Sequence, residues 1–488
     1  MDSSSLKVAL LVTNFPGAYF PERHGVFDGA RTWLAAIAQQ EAIELTCDEQ
    51  VLSDRATAEA AINRVADADF VLVLHGGFTM GDVAHALSAS NLCIGFWAVP
   101  EPTFSGDIQL NNFVSLNMSL SIAAMTRDTE ANPVAWYFGA PGSAHVETPL
   151  VNTLRALKLR KALTGRKIGS IGGVAPTFYN MELDRGALFR AWGTVIDDVP
   201  ISHLRSTARQ MATNDVDCEV TRMAAAAPVD GVSEAQMTLS ARYALALRHL
   251  AASNHWSSVA TRDWPEVLVD PGFHPGAAFS WAEEAYRLPV ASEGDVLGAL
   301  TQHAAIALTG KVGCILDLCA PDIERDRLLV WHGGGGPLHL ADASGARWIM
   351  HPMIGRTESG PSPYGTVADY VFAPGPVTLA RIGNDGRTIF AIEAVIAPGE
   401  TRGFDGERGW ATDFSQLGNA LSLWDVMETV MSYGAEHHFV LIPGRHSATF
   451  AELATWSGAR SLEARRHQGY LAPRATAFTL AAGHRREP

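Results

Sequence analysis

Three continuous apolar segments, separated by helical segments, constrain the fold of this chain most strongly. Lys7–Thr13 (KVALLVT), Asp69–Phe78 (DFVLVLHGGF) and Leu92–Glu101 (LCIGFWAVPE) each have the pattern of a buried strand. Good helix formers at helical spacing fill the intervals, as in Asp28–Gln40. Uniformly apolar strands that alternate with helices indicate a parallel sheet covered on both faces. The sequence therefore predicts a doubly wound α/β domain over residues 1–164.

A second segment of the same kind begins with the strand GRKIGSIGG, which also ends in glycines. This strand lacks the G-x-G-x-x-G fingerprint of a dinucleotide site. Gly169, Gly172 and Gly173 therefore favour a tight strand-to-helix turn. Because helical stretches and further apolar strands follow, we predict a second Rossmann-like α/β domain over residues 165–308.

The pattern changes after about residue 310, where short β-rich runs alternate with Gly and Pro turns. Strands at this spacing are typical of a barrel or a sandwich. The predicted fold class is α/β, with two consecutive Rossmann-like α/β domains followed by a C-terminal β-barrel-type domain over residues 309–488.

Composition narrows the classes of partner and compartment. The net charge of −15 argues against nucleic acid or an anionic membrane as the main partner, because both bind basic surfaces. The five cysteines are scattered without a Cys-x-x-Cys pair, which fits a reducing compartment. The N-terminus lacks the basic start of a secretory signal, and no run approaches the roughly 20 apolar residues of a membrane span. We predict a soluble, cytoplasmic protein.

Two segments place carboxylates at unusual positions, and each also has an ordinary structural interpretation. Glu293 and Asp295 follow Ser292 at the junction of an apolar strand and an apolar helix, where the alternative is a helix start with Ser292 or Asp295 as the N-cap. Asp317 lies inside an apolar strand run. A buried carboxylate is costly unless it is paired or bound to a metal, and the alternative here is the cap of a turn.

Two further segments supply imidazoles. His332 precedes four glycines, and such a loop either lets backbone approach a ligand or serves as a flexible turn. His437 and His438 stand at the start of an apolar run. Successive residues on a strand face opposite sides, so we expect at most one of this pair to face a given site. Two carboxylates and one imidazole suit Mn²⁺, with Mg²⁺ or Co²⁺ as alternatives.

Taken in order, these segments resemble the L-fucose isomerase and L-arabinose isomerase superfamily. The motifs that carry the resemblance are DFVLVLHGGFTMGD, WAVPEPTFSGDIQLNN, IGSIGGVAPTFYNM, RDWPE, ASEGDVLGAL, LVWHGG, PGPVTLAR and the HH pair, and they cover nearly the whole chain. The resemblance implies two α/β domains and a β-barrel domain, a homohexamer with active sites near subunit boundaries, and Mn²⁺-dependent interconversion of aldoses and ketoses.

The resemblance also implies roles for individual residues. Glu293, Asp317 and His438 match the metal ligands, and Glu293 and Asp317 would also be the catalytic acid and base. His437 matches a position that contacts substrate. His332 matches a metal ligand of arabinose-type members, and we expect it to contact substrate here.

Other residues do not determine which sugar is the substrate. Gly333 stands where the family often has Cys, and Asp317 is fucose-like, where arabinose-type members have Glu. Arg23 and Arg356 either reach a site from a neighbouring subunit or are ordinary surface arginines. Glu266, in RDWPE, has the position of a helix-start residue.

The predicted reaction is isomerisation of an open-chain sugar through a cis-enediol, with Glu293 and Asp317 exchanging protons at C1 and C2. One alternative is an isomerase of a modified sugar, sulfonated or deoxy, such as sulfoquinovose. Another is a non-catalytic sugar-binding relative. The acid pair together with His438 favours an enzyme, since a pure binding protein has no need for it.

Overall fold

The computed structural model describes residues 5–15, 25–269, 274–354 and 365–464. The chain forms two compact units. The first comprises the described residues up to Ala162 together with Thr455–Gly458, and the second comprises the other described residues from Leu163 onward. All the predicted site residues that the structure describes belong to the second unit.

The first unit alternates strands with helices, as the sequence predicts. Its elements are β1 (Leu6–Thr13), α1 (Val26–Gln40), β2 (Ile43–Leu52), α2 (Arg55–Arg64), β3 (Phe70–His75), α3 (Gly81–Ser88), β4 (Ile94–Ala98), α4 (Asn112–Thr126), β5 (Val134–Phe138) and α5 (Ala144–Leu163). The strands pair in parallel in the order β2-β1-β3-β4-β5. Every residue of β3 and β4 is buried, which explains their uniformly apolar sequences.

The second unit begins with another parallel sheet, in the order β7-β6-β8-β9. The elements of this part are β6 (Lys167–Ile171), α6 (Arg185–Trp192), β7 (Val195–Val199), α7 (Ile201–Gln210), α8 (Thr213–Ala226), α9 (Glu234–Asn254), β8 (Ser258–Thr261), α10 (Glu266–Val269), α11 (Gly276–Tyr286), β9 (Val290–Ala291) and α12 (Val296–Thr309). Short 3₁₀ turns occupy Tyr179–Met181 and Ser292–Gly294. Because the strands are parallel, the carboxyl ends of β6, β8 and β9 meet at one edge of the sheet.

The glycines in and after β6 have two different structural roles. Gly172 and Gly173 have φ of 83° and 73° and form the predicted turn. Gly169 instead lies inside β6, where a Cβ would stand 2.3 Å from a ring carbon of Trp256. The glycine at this position therefore makes room for the indole, and the prediction that it belongs to the turn was wrong.

The remaining strands form a mixed sheet. Its elements and the nearby helices are β10 (Cys314–Asp322), β11 (Arg327–His332), β12 (Arg347–Met350), β13 (Thr366–Val371), β14 (Gly375–Ile382), β15 (Thr388–Ile396), β16 (Glu407–Gln416), β17 (Asn419–Ala420), α13 (Leu423–Tyr433), β18 (His438–Pro443), α14 (Ser447–Ser457) and β19 (Arg460–Ser461). Because β16 pairs with both β11 and β15, the strands β16, β11, β10, β18, β14 and β15 form a closed circuit of pairing.

Helix α12 connects the two sheets of the second unit. It packs against β8 of the parallel sheet and against β14 and β18 of the mixed sheet. Its sequence is apolar on nearly every side, as expected of a helix enclosed by other elements. The start of α12 is therefore held between the carboxyl edge of the parallel sheet and the strands of the mixed sheet.

The structure confirms an α/β protein with parallel sheets and a β-rich C-terminal part. The domain boundaries at residues 164 and 308 stay predictions. Within the described ranges, no helix has both the length and the hydropathy that crossing a membrane requires.

Candidate active site

The candidate site lies where β9 passes into α12 and where β18 begins. Glu293 is in the 3₁₀ turn that ends β9, and Asp295 is the N-cap of α12, with its Oδ1 accepting from the Gly298 N–H at 2.8 Å. His438 is the first residue of β18, and His437 immediately precedes it. The ordinary feature expected of this segment, a capped helix start, is therefore present, and Asp295 is the cap.

Glu293, His437 and His438 form a cluster with metal-ligand geometry. Each offers one ligand atom, and these atoms lie within 4.8 Å of one another. The Nε2 atoms of His437 and His438 are 3.2 and 3.5 Å from Glu293 Oε2. Among the described residues, this is the one group of three or more His, Cys, Asp or Glu residues with that spacing. Carboxylate oxygen with imidazole nitrogen is a donor set that suits Mn²⁺.

Both adjacent histidines face the site, so the expectation that at most one of them would do so was wrong. Their ring centroids are 4.3 Å apart, and both rings reach the same carboxylate oxygen. The reason is that β18 begins at His438, so that His437 lies in the bend before the strand. Side chains alternate between faces only within a strand.

The backbone of the Ser292–Gly294 turn aims the Glu293 carboxylate. Glu293 has φ 59° and ψ 10°, in the left-handed region, and Gly294 follows with φ 79°. A Cβ on Gly294 would lie 2.2 Å from the carbonyl oxygen of Gly173. The Ala175 N–H donates to the Glu293 carbonyl at 2.9 Å, so this turn packs directly on the turn that follows β6.

The buried carboxylate of Asp263 stabilises the Ser292–Gly294 turn by a hydrogen bond. Asp263 accepts the Glu293 N–H at 3.0 Å through Oδ1, and its Oδ2 is 3.3 Å from His274 Nε2. His274 Nδ1 accepts from the Gly276 N–H, so Nε2 carries the proton that faces Asp263. Sequence reasoning missed Asp263, although the residue is part of the RDWPE motif, since local pattern does not show which backbone group it binds.

A buried ion pair between Arg381 and Asp295 contacts His438. Arg381 and Asp295 are 1% and 0% exposed, and both guanidinium Nη atoms contact the carboxylate, Nη2 to Oδ1 at 2.9 Å. His438 Nδ1 donates to Asp295 Oδ2 at 3.1 Å. Burial opposes ionisation of Asp295, but Arg381 and His438 hold its pKa well below the usual range. Burial also opposes protonation of His438, yet the neighbouring carboxylates raise its pKa.

Arg381 was also missed as a site residue. The signal in the sequence was a single arginine in the apolar strand β14, inside the motif PGPVTLAR. A fully buried arginine requires a charged partner. Its partner Asp295 is 86 residues earlier in the chain, which the local pattern cannot show.

Asp317 lies opposite His438 in the antiparallel pairing of β10 with β18. Within the described part of the chain, its buried Oδ1 has no hydrogen-bond partner. Burial raises the pKa of Asp317, the two histidines oppose that rise, and Glu293 adds to it. An orphaned acceptor oxygen beside the cluster fits a cation as its partner. Its role as a metal ligand stays a prediction.

His332 lies edge-on to His438, with ring centroids 5.3 Å apart. Its Nδ1 accepts from the Gly334 N–H at 2.9 Å, which leaves Nε2 as an N–H donor. Burial holds the pKa of His332 well below its usual value, so the ring is neutral. In this form His332 can donate to a substrate oxygen, and its contact with substrate stays a prediction.

Aromatic rings border the cluster. Phe178 stacks on His437 with ring centroids 5.3 Å apart, and Trp264 meets Phe178 edge-on at 5.5 Å. An apolar wall beside a few convergent polar groups is typical of small-molecule sites. Both rings belong to motifs of the family resemblance, IGSIGGVAPTFYNM and RDWPE.

The other candidate residues have simple outcomes. Glu266 begins helix α10, as predicted, and pairs with Arg262 at 2.7 Å. Arg23 and Arg356 lie outside the described residues.

Comparison with known proteins bears on the class of the chain. No known family profile matches it. The chain is 24% identical over 363 residues to the sulfoquinovose isomerases of Priestia aryabhattai and Priestia megaterium (strain ATCC 12872 / QMB1551), a match that covers 73% of this chain and 76% of theirs. The chain is an isomerase. The sulfoquinovose isomerase of Clostridium sp. (strain MSTE9) is also 24% identical, over 369 residues, or 74% of this chain and 78% of that protein. The predicted enzyme class is thereby confirmed.

Proposed function

We propose that the protein is a metal-dependent aldose–ketose isomerase of the fucose isomerase type, with sulfoquinovose as its first candidate substrate. The observation that carries the proposal is the convergence of Glu293, His437 and His438 within 4.8 Å, with the orphaned Asp317 oxygen opposite His438. The similar proteins named sulfoquinovose isomerase supply the candidate sugar.

Glu293, Asp317 and His438 would hold the ion, and Mn²⁺ is the ion we expect. The set offers two carboxylates and one imidazole nitrogen, a donor chemistry that Mn²⁺ accepts and that Mg²⁺ or Co²⁺ can share. When bound, such an ion polarises a carbonyl oxygen and its neighbouring hydroxyl. The Asp295–Arg381 pair orients the imidazole of His438 toward that position.

Proton transfer would be the work of Glu293 and Asp317. One carboxylate removes the proton from C2 of the open-chain sugar while the carbonyl oxygen O1 gains a proton, which gives a cis-enediol; a proton then returns at C1 as the hydroxyl on C2 loses its proton to give the ketose. The left-handed turn fixes the position of the Glu293 carboxylate, which such a transfer requires. The N–H groups of His332 and His437 can donate to sugar oxygens, and the Phe178 ring covers one face of the His437 imidazole.

An anionic sugar tail requires a cation in the pocket. Arg262 and Arg381 are both engaged by carboxylates, Glu266 and Asp295. The sulfonate partner is therefore expected elsewhere, and Arg23 and Arg356, contributed by a neighbouring subunit of a homohexamer, stay the candidates. The hexamer itself is part of this proposal, as is a cytoplasmic location.

To test the proposal, the protein is stripped of metal and then incubated with Mn²⁺ and each of a panel of aldoses. The panel contains sulfoquinovose, L-fucose, L-arabinose, D-arabinose and a 6-deoxy hexose, and ketose formation is followed by NMR. We expect turnover of sulfoquinovose that depends on Mn²⁺. Preferential turnover of a neutral aldose would rule out sulfoquinovose as the substrate, and full turnover after chelation would rule out a requirement for the metal. Binding of sugar without turnover would favour the non-catalytic alternative.

A further inference from the structure

The imidazoles of His437 and His438 are linked by a chain of hydrogen bonds through Asp295, Arg381, Asn384 and Asn180, here called the circuit. His438 first contacts the carboxylate of Asp295. Arg381 Nη2 then donates both to Asp295 Oδ1, at 2.9 Å, and to Asn384 Oδ1, at 2.8 Å. Asn384 Nδ2 donates to the backbone oxygen of Asn180 at 2.5 Å. The circuit ends at His437, through the contact of Asn180 Nδ2 with His437 Nδ1 at 3.0 Å.

The end of the circuit at His438 requires a proton on Nδ1. Asp295 is an ionised carboxylate, held in that state by Arg381, and an ionised carboxylate only accepts hydrogen bonds. His438 Nδ1 is therefore the donor. The remaining nitrogen, Nε2, is the one that can offer a lone pair, and it points toward Glu293 Oε2 at 3.5 Å.

The end of the circuit at His437 has the opposite polarity. The amide nitrogen of Asn180 only donates, so His437 Nδ1 accepts and carries no proton. The proton of the neutral ring is then on Nε2, which donates to Glu293 Oε2 at 3.2 Å. Although the position of this nitrogen fits a metal ligand, an N–H group cannot ligate.

We propose that the circuit fixes the adjacent imidazoles in opposite tautomers, with Asn180 as the positioning residue that makes His437 a hydrogen-bond donor instead of a second imidazole ligand. His438 then binds the ion, while the Nε2–H of His437, which contacts Glu293 Oε2 in the free site, is available to a substrate oxygen once Glu293 is engaged by the ion. This inference rests on the proposed function, because it assigns the site's two imidazoles to the metal and to the sugar.

Asn180 is the part of the circuit that can be changed with least disturbance. It is exposed, in the short turn Tyr179–Met181, whereas Asp295 and Arg381 are fully buried. Replacing Asp295 would remove the closest charged partner of the buried Arg381 guanidinium and leave only the Glu436 carboxylate, 3.8 Å from Nε, which is strongly destabilising. A variant at residue 180 therefore tests the tautomer without testing the stability of the core.

The decisive variant is Asn180→Asp, which keeps the shape of the side chain and reverses its hydrogen-bonding polarity. A carboxylate requires a proton on His437 Nδ1, which frees Nε2 as a lone pair and makes His437 resemble His438. We expect Mn²⁺ affinity, measured by calorimetry on the full chain, to rise by about tenfold or more. We also expect the visible spectrum of the Co²⁺-loaded variant to change and kcat to fall at saturating Mn²⁺. Asn419→Asp, an exposed change of the same charge, is the matched control and should leave Mn²⁺ affinity unchanged.

Wild-type Mn²⁺ affinity together with an unchanged Co²⁺ spectrum in Asn180→Asp would overturn the inference. If the wild-type protein binds no Mn²⁺, the proposed function fails, and the tautomers are read from ¹⁵N shifts of histidine-labelled protein. The His437 and His438 signals are assigned by their loss in His437→Gln and His438→Gln. One ring protonated at Nδ1 and the other at Nε2 would support the opposite tautomers, and two rings of the same tautomer would overturn them.

Discussion

At the scale of single residues, the position of the Glu293 carboxylate depends on two consecutive left-handed residues. Glu293 tolerates its φ of 59° because Asp263 binds its N–H and the Ala175 N–H binds its carbonyl. Gly294 cannot be replaced without strain, since a Cβ there would lie 2.2 Å from the Gly173 carbonyl oxygen. The turn is thus specified by one glycine and two hydrogen bonds.

We expect Gly294→Ala to lower the unfolding free energy far more than Gly310→Ala. Both glycines have φ 79°, so both variants incur the cost of a left-handed alanine, about 1–2 kcal/mol. A Cβ at Gly310 meets open space among the described residues, whereas at Gly294 it overlaps backbone. Urea unfolding of the two variants measures the difference. Equal losses would show that the turn does not pack on Gly173 as described.

A buried histidine of the first unit gives the protein a pH-dependent stability. His75 is fully buried, and its Nδ1 contacts the hydroxyls of Thr13 at 3.2 Å and Thr79 at 2.7 Å. Burial lowers the pKa of His75 to about 3. In the unfolded chain this pKa returns to about 6.5, so the unfolded state takes up a proton as pH falls and the folded state does not.

The unfolding free energy should therefore decrease as pH falls from about 6.5 toward 3. Between pH 7 and pH 5 the contribution of His75 amounts to about 2 kcal/mol. The loss measured by urea unfolding at these two pH values should be smaller by that amount in His75→Gln than in the wild type. An identical pH dependence in both proteins would contradict the neutral, buried state of His75.

At the scale of elements, the strands and caps were predictable, and the contacts between distant elements were not. Uniformly apolar runs predicted β1, β3 and β4 because parallel strands are buried on both faces. A helix N-cap at Ser292 or Asp295 was the ordinary interpretation of its segment, and Asp295 is the cap. Its pairing with Arg381 and His438 joins three elements that are far apart in sequence, and the bend at His437 depends on where β18 begins.

Helix α13, which precedes the histidine pair, has a complete capping box. Ser422 Oγ accepts the Asp425 N–H at 3.1 Å, and the Asp425 carboxylate accepts the Ser422 N–H at 3.0 Å. We expect Ser422→Ala to lower the unfolding free energy by about 1 kcal/mol, and Ser422→Thr, which retains the cap, to lose only a fraction of that. Equal losses in thermal or urea unfolding would indicate that the cap is not what stabilises this helix.

At the scale of the whole molecule, the site is assembled from the turn before α12, the start of β18 and the interior of β10. Their side chains converge because α12 packs against both sheets of the second unit. The sequence predicted Glu293, Asp317 and His438 as a set through ordered motifs, whereas spacing alone left each with an ordinary structural explanation. The supporting residues Asp263, Arg381 and Asn180 belong to those motifs too, but their partners become visible only in three dimensions.

The most direct test of the account follows the proton that Glu293 and Asp317 are proposed to transfer. Wild type and Glu293→Gln are incubated with Mn²⁺ and sulfoquinovose in D₂O, and the product is examined by NMR. We predict that wild type forms a ketose that carries solvent deuterium at C1 and that Glu293→Gln forms none. Ketose without deuterium would contradict proton exchange through an enediol, and undiminished turnover by Glu293→Gln would show that this carboxylate is not part of the reaction.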